Sequence, residues 1–138
     1  MTNVRVLIAD DNKAMRDMLT SISGAEFDVI RAVSEGGAAL AATTQLLPDV
    51  ALLDICMPVL TGIEVARRIR DKRTNVAVVL LTVCSGFDTF HAAKEPGSLA
   101  YVLKPRMCSD LVLAINLSLE RHGVRFTRCR VATARYYR

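Results

Sequence analysis

The sequence predicts an α/β domain with one five-stranded parallel sheet and helices on both faces, and three observations carry that reading. Short apolar runs alternate with helix-periodic segments through residues 4–120, the order that right-handed crossovers convert into a parallel sheet. The runs are near-continuous in Val, Leu, Ile and Ala, as strands covered on both faces must be. Hydrophobic residues make up 51% of the 138 and aromatics only 5%, with no Trp, so the core has to be aliphatic, which favours α/β over an aromatic-rich sandwich or barrel.

Residues 4–9 form the first run and end in Asp10-Asp11. Met15, Met18, Leu19 and Ile22 then fall at i, i+3, i+4 and i+7, an amphipathic helix closed by Gly24. Residues 27–33 read as the second strand and 36–45 as an Ala-rich helix. Pro48 opens the third strand, an apolar run that stops at Asp54, and Pro58 forbids ladder pairing just beyond it. Residues 63–70 follow Thr61-Gly62 as a third helix, with Val65, Ala66 and Ile69 on one face and Arg67, Arg68 and Arg70 off it. Residues 75–82 are the most apolar strand and terminate in Thr82. A short helix over 87–94, ended by Pro96-Gly97, precedes a fifth strand over 99–103 that finishes in Lys104-Pro105. Ser109-Asp110 caps a last helix running to about Glu120.

This length suits one domain, residues 1–120, plus a tail over 121–138. The net charge of +4 is unevenly placed. The body holds 12 Lys and Arg against all 14 acidic residues, whereas the tail holds six Arg and no acid, so basicity says nothing about the body's partners. Cys56, Cys84, Cys108 and Cys129 form no Cys-x-x-Cys pair, which argues against structural zinc. The N-terminus runs straight into a strand, and no apolar run approaches the roughly 18 residues that span a bilayer, so a reducing, cytoplasmic protein with no membrane partner is expected.

Parallel strands share one C-terminal edge, where ligands of open α/β sheets bind. Asp10, Asp11, Asp54, Thr82 and Lys104 should therefore meet there, although a loop-capping role is the bland alternative for each. Three close carboxylates raise one another's pKa unless a cation is present, and hard oxygen ligands suit Mg²⁺. With an ammonium at Lys104 and a hydroxyl at Thr82, the set is equipment for in-line phosphoryl transfer. Asp54 is then the nucleophile, and Asp10 and Asp11 hold the metal.

Asp10-Asp11, Asp54 with Met57-Pro58 and Gly62, Thr82, and Lys104-Pro105 together resemble the receiver domain of two-component response regulators, over about residues 4–120. The resemblance implies a flavodoxin-like, CheY-like fold of strand order 2-1-3-4-5. It implies phosphorylation of Asp54 by a phosphohistidine on a sensor histidine kinase or phosphotransfer protein, with Mg²⁺ required. It places Asp11, Asp54 and the Cys56 backbone carbonyl on the metal, with Asp10 assisting through water. Thr82 and Lys104 would bind the phosphoryl group, and Tyr101 matches the aromatic switch position, against the plainer reading of a half-buried strand tyrosine. A face made of the 87–94 helix, the fifth strand and the last helix would change shape on phosphorylation. Leu113 and Leu117, apolar beyond the core stripe of that last helix, suggest homodimerisation there.

Two features depart from the pattern. Val83 stands where the family usually has Ala or Gly, so its side chain should overhang the phosphoryl site, and slower phosphorylation by small donors, or slower hydrolysis, than in Val83→Ala is expected. Cys56 and Cys84, each two residues past a site residue, are conceivable as a redox gate and more simply two small side chains. The tail reads as a linker of a truncated transcription regulator or an expression remnant, as a solvated tail, or as an arm for nucleic acid or another partner.

A signalling protein rather than an enzyme is expected. A phosphatase-type hydrolase would want a second acid two residues beyond Asp54, where Cys56 stands. A pseudo-receiver would have lost a site residue, and none is lost.

Overall fold

All five expected strands form and run parallel: β1 (Arg5–Ala9), β2 (Asp28–Val33), β3 (Val50–Asp54), β4 (Ala77–Thr82) and β5 (Leu99–Leu103), in the spatial order β2-β1-β3-β4-β5. The computed structural model describes residues 3–72, 74–83, 99–121 and 135–137. The helix expected over 87–94, the Pro96-Gly97 break, Cys84 and Cys129 lie outside the described residues.

The helices α1 (Lys13–Gly24), α2 (Gly36–Leu46), α3 (Gly62–Asp71) and α4 (Met107–Arg121) divide between the two faces. Because side chains alternate along a strand, Leu7, Leu53, Leu80 and Tyr101 join one core with Ala39 of α2 and Val65 and Ile69 of α3. Their neighbours Ile8, Leu52, Leu81 and Val102 join the other with Leu19 of α1 and Leu111 and Ile115 of α4. Every residue of β3 and β4 is buried, as the unbroken apolar runs require.

Local chemistry sets the helix ends. The Asn12 side chain accepts from the Met15 N–H at 3.0 Å to start α1, and Thr61 accepts from the Glu64 N–H at 3.2 Å to start α3, a Thr-x-x-Glu signature that leads into the helix. Two expectations need correction. Met18 is 47% exposed, because the buried face of α1 centres on Leu19 and Ser23, and one residue is about 100° of helix. The last helix is not capped at Ser109-Asp110. A 3-10 turn over Lys104–Arg106 feeds straight into Met107, which already has helical angles of φ −62° and ψ −31°, so Ser109 sits in the first turn and its hydroxyl donates back to the Arg106 carbonyl at 3.0 Å.

The sheet also has a sixth strand, β6 (Arg135–Tyr137), antiparallel to β5. Part of the basic tail thus belongs to the sheet, a strand that the sequence reading did not foresee. No helix among the described residues is long and apolar enough to cross a membrane.

Candidate functional site

Strand register brings the site together. Ala9 pairs with Leu53, Asp54 with Leu81, and Thr82 with Leu103, so β1, β3, β4 and β5 end almost level and their next or last residues share one rim. Asp54 and Thr82 are the last residues of β3 and β4, while Asp10 and Lys104 directly follow β1 and β5.

Asp10 is fully buried and held from four sides. Its N–H donates to the Val33 carbonyl at 3.1 Å, and its Oδ1 accepts from the Asn12 N–H at 2.9 Å. The Arg16 guanidinium donates to its carbonyl at 2.9 Å, and Lys104 Nζ lies 2.8 Å from its Oδ2. The same Lys104 Nζ is 3.3 Å from Asp54 Oδ2, and the Cys56 N–H donates to Asp54 Oδ1 at 3.3 Å. Asp54 is only 4% exposed, whereas Asp11 is exposed. One oxygen from each of Asp10, Asp11 and Asp54 lies within 4.8 Å of the other two.

The loop after Asp54 is shaped by backbone. The Ile55 N–H donates to the Leu81 carbonyl at 3.0 Å, and the Gly62 N–H closes the loop onto the Ile55 carbonyl at 3.0 Å. A Cβ at Gly62 would collide with the Asp54 carbonyl, which explains why glycine opens α3. Val59, in the same loop, has φ 72°, a left-handed conformation that costs a β-branched residue energy.

Burial pushes the Asp54 carboxyl up, and the Asp10 charge adds to it. Lys104 and the Cys56 N–H oppose both, leaving it at about 6. For Lys104, burial is the largest single influence and favours the neutral amine. The hydrogen bond to Asp10 and the charges of Asp54 and Asp10 together outweigh it and hold its pKa above the ordinary value. The rim therefore carries two buried acids around one base, with a third acid at the surface. Clustered hard oxygens with excess negative charge fit a small divalent cation such as Mg²⁺ far better than a soft metal.

Of the residues expected at the site, Asp10, Asp11, Asp54 and Lys104 converge as described. Thr82 is buried at the end of β4, and Cys56 is exposed on the loop beyond Asp54. Tyr101 belongs to the apolar core with Ile55, Met57 and Leu80 rather than to the charged cluster, and at 5% exposure it is buried rather than half-buried. Val83 follows Thr82 and is 70% exposed. Sequence reasoning missed Asn12 and Arg16 as supports of Asp10. Asn12 had a signal, an Asn just ahead of an amphipathic run, whereas Arg16 had none.

A family model described as "Response regulator receiver domain" matches residues 6–116. The transcriptional regulatory protein PdtaR of Mycobacterium tuberculosis is 33% identical over 118 residues, covering 85% of this chain and 57% of that protein. The transcriptional regulatory protein PrrA of the same species is 35% identical over 127 residues, covering 89% of this chain and 53% of PrrA. This chain thus spans just over half the length of these curated relatives. Among solved structures, a DNA-binding response regulator of the LuxR family from Staphylococcus aureus superposes with a TM-score of 0.80 at 30% identity, covering 84% of this chain and 98% of that one. The receiver domain of NarL from Mycobacterium tuberculosis gives 0.79 at 26%, covering 91% and 100%.

Proposed function

The chain belongs to the response regulator receiver family, and from that premise we propose that Asp54 accepts a phosphoryl group from a phosphohistidine on a sensor histidine kinase or phosphotransfer protein. The observation that carries this reading is the Lys104 ammonium set between the buried carboxylates of Asp10 and Asp54 at 2.8 and 3.3 Å, with Asp11 within 4.8 Å. An Asp54 oxygen attacks phosphorus in line, the phosphorus–nitrogen bond breaks, and the imidazole leaves. Asp11, Asp54 and the Cys56 carbonyl would hold Mg²⁺ directly and Asp10 through water, and the ion would neutralise the phosphoryl oxygens. Thr82 and Lys104 bind those oxygens.

The acyl phosphate adds about −1.5 to −2 of charge beside Lys104 and Thr82. Their rearrangement, with Tyr101 repacking, shifts the population of shapes at β5 and α4 toward one that partners prefer. A second copy of the chain is one such partner, since Leu113 and Leu117 of α4 are partly exposed. We take residues 1–120 as the receiver unit, acting in the cytoplasm, where its kinase partners present phosphohistidine. The second acid that a hydrolase would want is absent at Cys56, so the site serves signalling.

Incubation with acetyl phosphate and Mg²⁺, read by intact mass, tests the proposal. One added phosphoryl group that disappears with EDTA and in Asp54→Asn is expected; no mass gain, or an undiminished gain in Asp54→Asn, would overturn it.

A further inference from the structure

The two edges of the sheet are finished in different ways. An edge strand offers unpaired N–H and C=O groups to any extended chain, and proteins blunt it with charge, bulges or a cover. β2 uses the first two devices. Asp28 and Arg31 are exposed along it, and its pairing with β1 shifts register between Val6 and Leu7.

β5 has neither device. Its five residues, Leu-Ala-Tyr-Val-Leu, carry no charge and no proline, and Ala100, Tyr101 and Val102 are all buried. Such a strand is a template for another strand. What covers it is β6, whose Tyr137, Tyr136 and Arg135 lie opposite Leu99, Ala100 and Tyr101. The sequence Arg-Tyr-Tyr suits the role, because tyrosine favours the pleated conformation.

We propose that the outer edge of β5 is a strand-docking site whose resident occupant is the chain's own C-terminal segment, Arg135–Tyr137, acting as a detachable guard. The guard pairs through only three residues, so it is held weakly enough to exchange, unlike β1, β3 and β4, each of which is paired along both sides. Its removal leaves β5 open to β5 of a second copy, edge to edge. The tail thereby sets how available the β5 side of the molecule is.

The test compares the full chain with a variant ending at Ala134, by amide hydrogen exchange and sedimentation. In the full chain the outward amides among Leu99–Tyr101 should be protected. In the truncated protein they should exchange freely at low concentration, and self-association should tighten by about tenfold or more. A synthetic peptide of residues 131–138 added to the truncated protein should restore protection and reverse the association. Full-chain Tyr136→Pro, whose ring locks φ at the middle residue of β6 while keeping the tail's charge, should behave as the truncation does. Equal protection of β5 in the full-length and truncated proteins, unchanged association on truncation, or failure of the peptide to dock would overturn the proposal.

Discussion

At the end of the sheet where its strands begin, Arg5 and Asp49 form a closed set. Asp49 accepts the Arg5 N–H at 2.8 Å and returns its own N–H to the Arg5 carbonyl at 2.9 Å, while the Arg5 guanidinium donates to the carbonyls of Leu46 and Leu47 at 2.9 and 3.1 Å. At the opposite end, Asp10, Asp54 and Lys104 are drawn from the same chemical classes but leave an acid in excess. The first set meets its charged side chains with backbone N–H and C=O groups. The second keeps two buried carboxylates near one ammonium, with a third at the surface, a cluster that gains from a cation. One sheet thus has a structural rim and a reactive rim, and the difference lies in whether the polar groups complete one another.

Breaking the reactive rim at its base should have the largest effect. Lys104→Ala removes the ammonium between Asp10 and Asp54 that, on the proposed function, faces the transferring oxygens, and phosphoryl incorporation from acetyl phosphate should fall about 100-fold, the usual loss for one preorganised electrostatic partner. Intact-mass time courses read this directly, and Asp49→Asn, at the other rim, should leave the rate unchanged.

The burial of the Asp54 carboxyl, with the Asp10 charge beside it, should also show in stability. The Asp54 carboxyl titrates near 6 in the folded protein against 3.8 for its ordinary value. The folded state therefore binds this proton more tightly than the unfolded state, so stability associated with Asp54 is present at low pH and is lost as pH rises from about 4 through 6. In EDTA, Asp54→Asn should be more stable than the wild type by about 2 kcal/mol at pH 7. The gap should shrink toward pH 4 and narrow when Mg²⁺ is added. Urea titrations at several pH values give the answer.

On the structural rim, Asp49→Ala leaves the Arg5 N–H without its acceptor. A loss of about 1–2 kcal/mol in urea unfolding is expected, with the phosphorylation rate intact. The smallest change concerns the loop beyond Asp54, where Val59→Gly should relieve a left-handed β-branched residue and, after the entropy of the freer unfolded glycine is offset, raise the unfolding free energy by less than about 1 kcal/mol in urea titrations.

Most of the fold and of the reactive rim could be read in the residues, because four of the five parallel strands announced themselves by an apolar run and each of those four led into a polar residue that had no packing reason to be there. Asp54 after Val-Ala-Leu-Leu and Lys104 after Leu-Ala-Tyr-Val-Leu are the clearest cases. The Arg5–Asp49 set was not legible, since its two members are 44 residues apart and an Arg at a strand start resembles any solvated charge. β6 escaped for a related reason: a three-residue strand has almost no pattern of its own, and Tyr136-Tyr137 lies in an Arg-rich tail whose composition suggests solvent. Tyr101 was placed on the right strand, but its depth depends on the core around it, which no local pattern records.

The most direct test of the reactive rim is to trap the acyl phosphate. The protein is treated with acetyl phosphate and Mg²⁺, reduced with borohydride, digested and sequenced by mass spectrometry, because reduction of an aspartyl phosphate leaves homoserine at the acceptor position. Reduction confined to position 54, and abolished by EDTA, is the predicted result. Reduction at Asp10, Asp11 or any other acid, with Asp54 untouched, would contradict the account.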